Sequence, residues 1–141
     1  MTCTDTHTVV AGSDIGLLGP LRVEILPDGR RARLLQAFRV HVGERVIEAP
    51  QGFETDFASV PRVFWRIVPP WGRYSPAAVI HDYLYFTGHV PRAEADAVFL
   101  TLMERLGVPA WKRSVMYRAV RMFGKAAWDA RRRHDKATAS R

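Results

Sequence analysis

The chain has 141 residues, 48% hydrophobic and 25% charged, a balance that suits one globular domain with a real core and argues against a multidomain enzyme or a fully disordered chain. No run approaches the ~20 consecutive apolar residues that span a bilayer, and a single cysteine, Cys3, excludes a disulfide framework and a cysteine zinc cluster. Twenty-one Lys and Arg against 14 Asp and Glu, a formal net charge of +7, favour polyanionic neighbours such as nucleic acid, an anionic membrane surface or an acidic protein.

Residues 1–19 read as a flexible leader, because Gly12, Gly16, Gly19 and Pro20 interrupt any periodicity. The start MTCTDTHT has neither a basic patch nor an apolar stretch, so no secretory signal is expected there. A single α+β domain is expected over 20–133. Leu21, Val23 and Ile25 alternate with polar residues before the turn residues Pro27, Asp28 and Gly29. Phe38, Val40 and Val42 alternate again, and Gly43-Glu44 allows Val46 to Glu48 to return as a hairpin partner. These segments predict a small antiparallel sheet with one apolar face. Five prolines and glycines among aromatics make residues 50–70 an ordered loop.

Three helices follow. Ser75 is placed to cap the first, with Pro76 at its first turn and Gly88 as its stop. Pro91 opens the second, whose stripe Ala95, Phe99, Leu102, Met103 and Leu106 has helical spacing, and Gly107 closes it. The third opens at Pro109 and is predicted to run to about Arg133. Its apolar side holds Trp111, Val115, Met116, Ala119, Val120, Phe123 and Ala127, and its basic side holds Lys112, Arg118, Arg121 and Lys125. Residues 134–141 read as a basic mobile tail.

In the first helix His81 and Asp82 sit side by side among apolar residues, where two polar groups are costly unless partners satisfy them. His81 and Tyr85, four apart, share a face, while Asp82 points about a third of a turn away. The short link from Tyr85 to Pro91 makes the first two helices antiparallel neighbours, so Asp96 approaches His81. Such a set suits hydrolysis. A neutral imidazole takes a proton from water, and a carboxylate on its other nitrogen orients it and stabilises the imidazolium. A buried His with a carboxylate partner serves structure more often than catalysis. In TDFASVPR, Asp56 and Ser59 could line a cleft beside His81 with Arg62 binding an anion, or act locally as turn and capping residues. Trp65, Trp71 and Tyr74 are either an exposed aromatic platform or core.

The run GFETDFASVPRVFW, AAVIHDYLY, PRAEAD and MYRAVRMFG, from Gly52 to Gly124, resembles a phage- and prophage-encoded family of unknown function. HDYLY followed by ADAVF, from Ala77 to Met103, is also similar to the active-site helix pair of phospholipase A(2), in its disulfide-poor viral and bacterial forms. That resemblance implies His81 as the water-activating base, Asp96 as its partner, Tyr85 as a hydrogen-bond support for Asp96, and Asp82 as a ligand for Ca2+. The glycine-rich calcium loop of those enzymes has no counterpart between Phe53 and Pro70, which leaves Asp56 or loop carbonyls to complete a calcium site. Apart from that resemblance, the residues themselves make Arg62, as an anion binder, and Trp65 and Trp71, as an aromatic platform, the candidate substrate contacts.

Two functions are thus expected to compete. One is a phage- or prophage-encoded accessory protein with metal-assisted ester, specifically phospholipid, hydrolysis at a His/Asp dyad. The other is a non-catalytic virion, tail or assembly component that keeps the helix pair as a scaffold. The expected partners are phage structural proteins or an anionic membrane surface, ahead of nucleic acid, and the expected location is the bacterial host cytoplasm or the virion.

Overall fold

A computed structural model describes residues 14–56 and 72–140. Alternation of apolar and polar residues builds its first half. In β4 (Phe38–Val42), Phe38, Val40 and Val42 are buried and Arg39 is exposed. The two-residue turn Gly43-Glu44 reverses the chain into β5 (Arg45–Ala49), with Val42 opposite Arg45 and Phe38 opposite Ala49. β1 (Ile15–Leu17) pairs with the other edge of β4, giving an antiparallel sheet of order β1-β4-β5. A second antiparallel sheet has the order β2-β3-β6, formed by β2 (Val23–Ile25), β3 (Ala32–Leu34) and β6 (Glu54–Thr55). Asp28 organises the β2-β3 turn by accepting from the backbone N–H groups of Arg30 and Arg31.

The expected α+β order of strands and then helices therefore holds, with the single predicted sheet resolved into two. Of the leader expected over 1–19, Ile15–Leu17 instead form a strand with Ile15 buried, and residues 1–13 lie outside the described residues. In the segment 50–70, expected as a loop, Glu54–Thr55 form β6, and residues 57–70 lie outside the described residues. Ile25 is exposed, so the first predicted strand contributes less core than its alternation promised.

The helices are α1 (Ser75–Thr87), α2 (Arg92–Arg105) and α3 (Ala110–Ala139). Ser75 begins α1 without capping it; its hydroxyl accepts from the Gly72 N–H. Gly88 ends α1 in the left-handed region, φ 65°, and donates to the Leu84 carbonyl, a conformation that costs glycine nothing. Buried residues surround α1 from Ala77 to His81, because the helix packs against α2, α3, β5 and β6 at once. Ala95, Phe99, Leu102 and Met103 of α2 are fully buried as their spacing predicted, and they join Phe38, Val40, Leu34 and Ile80 in one core.

α3 departs from expectation. It runs through Ala139, past the predicted end near Arg133 and into the stretch read as a mobile tail. Only Met116 and Val120 of it are buried, while Trp111, Met122 and Phe123 are exposed. The residues that meet the other helices include Val120, Arg121, Gly124, Trp128 and Arg132, a face rotated by roughly two-fifths of a turn from the predicted apolar one. Polar anchors set this rotation: Arg121 reaches into α2, and Arg132 donates to the Tyr85 and Phe86 carbonyls at the end of α1. No helix among the described residues is long and apolar enough to cross a membrane.

Candidate active site

The antiparallel packing of α1 on α2 brings His81 and Asp96 together. His81 Nε2 and Asp96 Oδ1 are 2.7 Å apart, and Tyr85 Oη donates to the same oxygen at 2.7 Å. The second carboxylate oxygen receives Arg121 Nη1 at 2.7 Å and Arg92 Nη1 at 3.5 Å. Asp96 is 0% exposed, a place where an ionised carboxylate persists only when its oxygens are satisfied. Four donors from three helices satisfy it.

His81 is 3% exposed and lies between Tyr85 and Phe99, with ring centroids 4.3 and 4.8 Å away. With Nε2 donating to Asp96, Nδ1 is the acceptor of the neutral ring. Nδ1 has no hydrogen-bond partner among the described residues. It faces Asp82 Oδ1 at 3.9 Å, too far for a hydrogen bond but close enough for a strong charge interaction. Asp82 is itself held from the sheet side, where Thr55 Oγ1 donates to Oδ2 at 2.5 Å and the Asp56 N–H donates at 3.2 Å. The two carboxylates thus flank one ring. Asp82, about a third of a turn from His81 on α1, bonds to the sheet side while its other oxygen lies 3.9 Å from the ring.

These contacts set the charges. Burial disfavours the His81 imidazolium, but the Asp82 and Asp96 carboxylates outweigh it and hold its pKa above the ordinary 6.5. Burial likewise opposes ionisation of Asp96, yet the hydrogen bonds from His81, Tyr85 and Arg121 bring its pKa below 3.8. Tyr85 is pushed up, first by burial and then by its bond to the Asp96 anion, so it remains a phenol that donates.

Of the residues singled out by sequence, the structure brings together His81, Asp82, Tyr85 and Asp96, with Asp56 reaching the group through its backbone N–H. Ser59, Arg62, Trp65 and Trp71 lie outside the described residues. Tyr74 is buried, and its phenol is pushed up by burial and by Asp82. Arg121, expected on the basic side of the third helix with Lys112, Arg118 and Lys125, reaches inward to Asp96. Thr55, at the start of the TDFASVPR segment, is a strand residue whose hydroxyl donates to Asp82. No sequence signal announced either contact, because both join segments more than twenty residues apart. Arg92 and Asp96 stand i, i+4 on one face of α2.

Over residues 32–120 the chain matches a family described as "Protein of unknown function (DUF1353)". The matched region contains His81, Asp82, Tyr85 and Asp96. The chain is also 40% identical over 77 residues to "Uncharacterized protein y4jT" of Sinorhizobium fredii (strain NBRC 101917 / NGR234), an overlap of 53% of this chain and 23% of that relative. The chain thus spans about a quarter of the relative's length, and no solved structure matches. On the match across both sheets' central strands and the site-bearing helices, the chain belongs to the DUF1353 family of proteins of unknown function.

Proposed function

We propose that the chain hydrolyses a carboxylic ester, with phospholipid as the first substrate to test, and that His81 is the general base. The observation that supports this reading is the division of labour on one imidazole: Nε2 is committed to Asp96 while Nδ1 faces the Asp82 side. In the reaction, Nδ1 takes a proton from water as the water oxygen forms a bond to the ester carbonyl carbon. Collapse of the tetrahedral intermediate breaks the bond to the alcohol oxygen, and the imidazolium returns its proton to that leaving group, giving an acid and an alcohol. Asp96 and Asp82 stabilise the transient imidazolium. The arginines keep Asp96 ionised, so the carboxylate orients the ring and is not itself protonated.

The likeness to phospholipase A(2) implies a calcium ion at Asp82. Such a cation takes six to eight oxygen ligands. Among the described residues there is no cluster of three or more His, Cys, Asp or Glu able to hold a metal, so these residues do not by themselves make a calcium shell. No step above runs through a cation. The proposal of Asp82 as its anchor, with Asp56 beside it, has its own test. Phospholipid hydrolysis by the wild type is expected to need Ca2+ and to stop in EDTA, and Asp82→Asn should remove both the activity and its calcium dependence. Equal rates in Ca2+ and EDTA would discard the cation and leave the base in place.

The second reading is a non-catalytic virion, tail or assembly component, favoured by the burial of His81 and Asp96 and by the way four donors to Asp96 tie three helices together. Absence of turnover of any phospholipid or simple ester by the folded wild type would select it. Both readings share the proposal of a phage- or prophage-encoded accessory protein acting in the host cytoplasm or virion, supported by the motif run from Gly52 to Gly124.

For partners, the proposal is an anionic membrane surface or a phage structural protein. It is supported by the net charge of +7 and by a solvent face of α3 that mixes Arg118 and Lys125 with exposed Trp111 and Met122. Binding to phosphatidylglycerol vesicles is expected to weaken steeply as salt rises, and further in Arg118→Gln/Lys125→Gln. Salt-independent binding would point to an apolar protein partner.

A further inference from the structure

The third helix reaches the His81–Asp96 pair through a single side chain. Arg121 Nη1 donates to Asp96 Oδ2 at 2.7 Å across 25 residues of sequence. Arg92 is a poorer partner at 3.5 Å, because the same nitrogen also donates to the Val120 and Arg121 carbonyls and to Tyr85 Oη. Arg92 therefore anchors the backbone of α3, and Arg121 holds the carboxylate. Without Arg121, Asp96 Oδ2 would be left in a fully buried place with one long contact, and the carboxylate could rotate away from His81 to find another donor.

Gly124, one helical turn beyond Arg121, makes the approach possible. A Cβ there would stand 2.6 Å from Tyr85 Oη and 3.3 to 3.4 Å from its ring. Tyr85 has little room to yield, since its ring packs edge-on against Trp128 at 5.2 Å and its hydroxyl is bonded to Asp96. Any larger residue would lift α3 or displace Tyr85, and either movement loosens the carboxylate.

From this arrangement we infer that Arg121 is a positioning residue for the His81–Asp96 pair, brought to its working distance by Gly124. As a statement about catalysis it rests on the hydrolytic reading, but the geometry has its own readout. Nitrogen-15 NMR of the histidine-labelled 141-residue chain at alkaline pH, with His81→Gln for assignment, reports which ring nitrogen of His81 carries the proton. It also reports how fast that proton exchanges with solvent. The wild type should show a protected Nε2–H. In Arg121→Gln the protection should be lost and the tautomers should mix, Arg121→Lys should restore most of the effect, and Gly124→Ala should resemble Arg121→Gln. In hydrolysis, Arg121→Gln should lower kcat by roughly tenfold to a hundredfold with little change in KM, the size usual when a supporting shell is removed.

A folded Arg121→Gln whose His81 tautomer and exchange match the wild type would overturn the inference. So would failure of both Arg121→Gln and Arg121→Lys to fold, which would make Arg121 a folding residue. If the wild type hydrolyses no ester while the NMR signature responds as described, the hydrolytic reading falls and the positioning of the pair stands.

Discussion

His81→Gln and Asp96→Asn are each expected to reduce ester hydrolysis by roughly a hundredfold to ten-thousandfold, the span of a positioned general base, and the double variant should lose little more. The two groups act as one unit. A base without its orienting carboxylate samples the wrong tautomer, and a carboxylate without its imidazole has nothing to orient. Additive losses in the double variant would break the unit apart and point to separate roles. Tyr85→Phe should be milder, because it removes one of four donors to Asp96, worth about 1 kcal/mol. The rate should also climb with pH through a value above 6.5, because the flanking carboxylates keep His81 protonated in the acid range and only the neutral ring accepts a proton. Circular dichroism and melting of each variant separate these effects from unfolding.

Asp96→Ala carries the largest expected loss of stability, about 3 to 5 kcal/mol, since it leaves His81, Arg92 and Arg121 in or beside a low-dielectric site without their common counter-charge. For a chain of this length that lowers the melting midpoint by roughly 10 to 20 °C. The same network gives stability a defined pH profile. Asp96 titrates below 3.8 when folded, so its contribution is fully present above that value and is lost as pH falls through the folded pKa. His81 titrates above 6.5 when folded, so its contribution is present below 6.5 and is lost as pH rises through the folded pKa. Together they place the network's greatest contribution between about pH 4 and 6.5. Denaturant midpoints measured across pH in EDTA should show this plateau, and Asp96→Asn should flatten its acid limb. A wild-type acid limb that Asp96→Asn leaves unchanged would assign acid unfolding to other carboxylates.

Local pattern carried much of this protein. Period-two alternation in Phe38 to Val42 and helical spacing in Ala95 to Met103 are one-dimensional records of which side meets the core, and both faces are buried as read. The meeting of His81, Tyr85 and Asp96 was legible for the same reason: i, i+4 spacing placed the first two on one face, and a short link obliged α2 to return alongside. Short-range geometry leaves few alternatives for such contacts. The rotation of α3 was of another kind. Its apolar residues alone favour the side with Trp111 and Phe123, yet both are exposed, because the bond from Arg121 to buried Asp96, the bonds from Arg132 to the end of α1 and the close pass at Gly124 outweigh that preference. The same holds for Thr55, whose hydroxyl meets Asp82 only because β6 pairs with β3 beneath α1. By itself the sequence determined the β4–β5 hairpin, the order of the three helices, the core faces of β4 and α2 and the His81–Asp96 pair. Tertiary structure decided which polar groups surround that pair, because a buried carboxylate must find donors wherever the fold brings them, and distance along the chain carries no record of that demand.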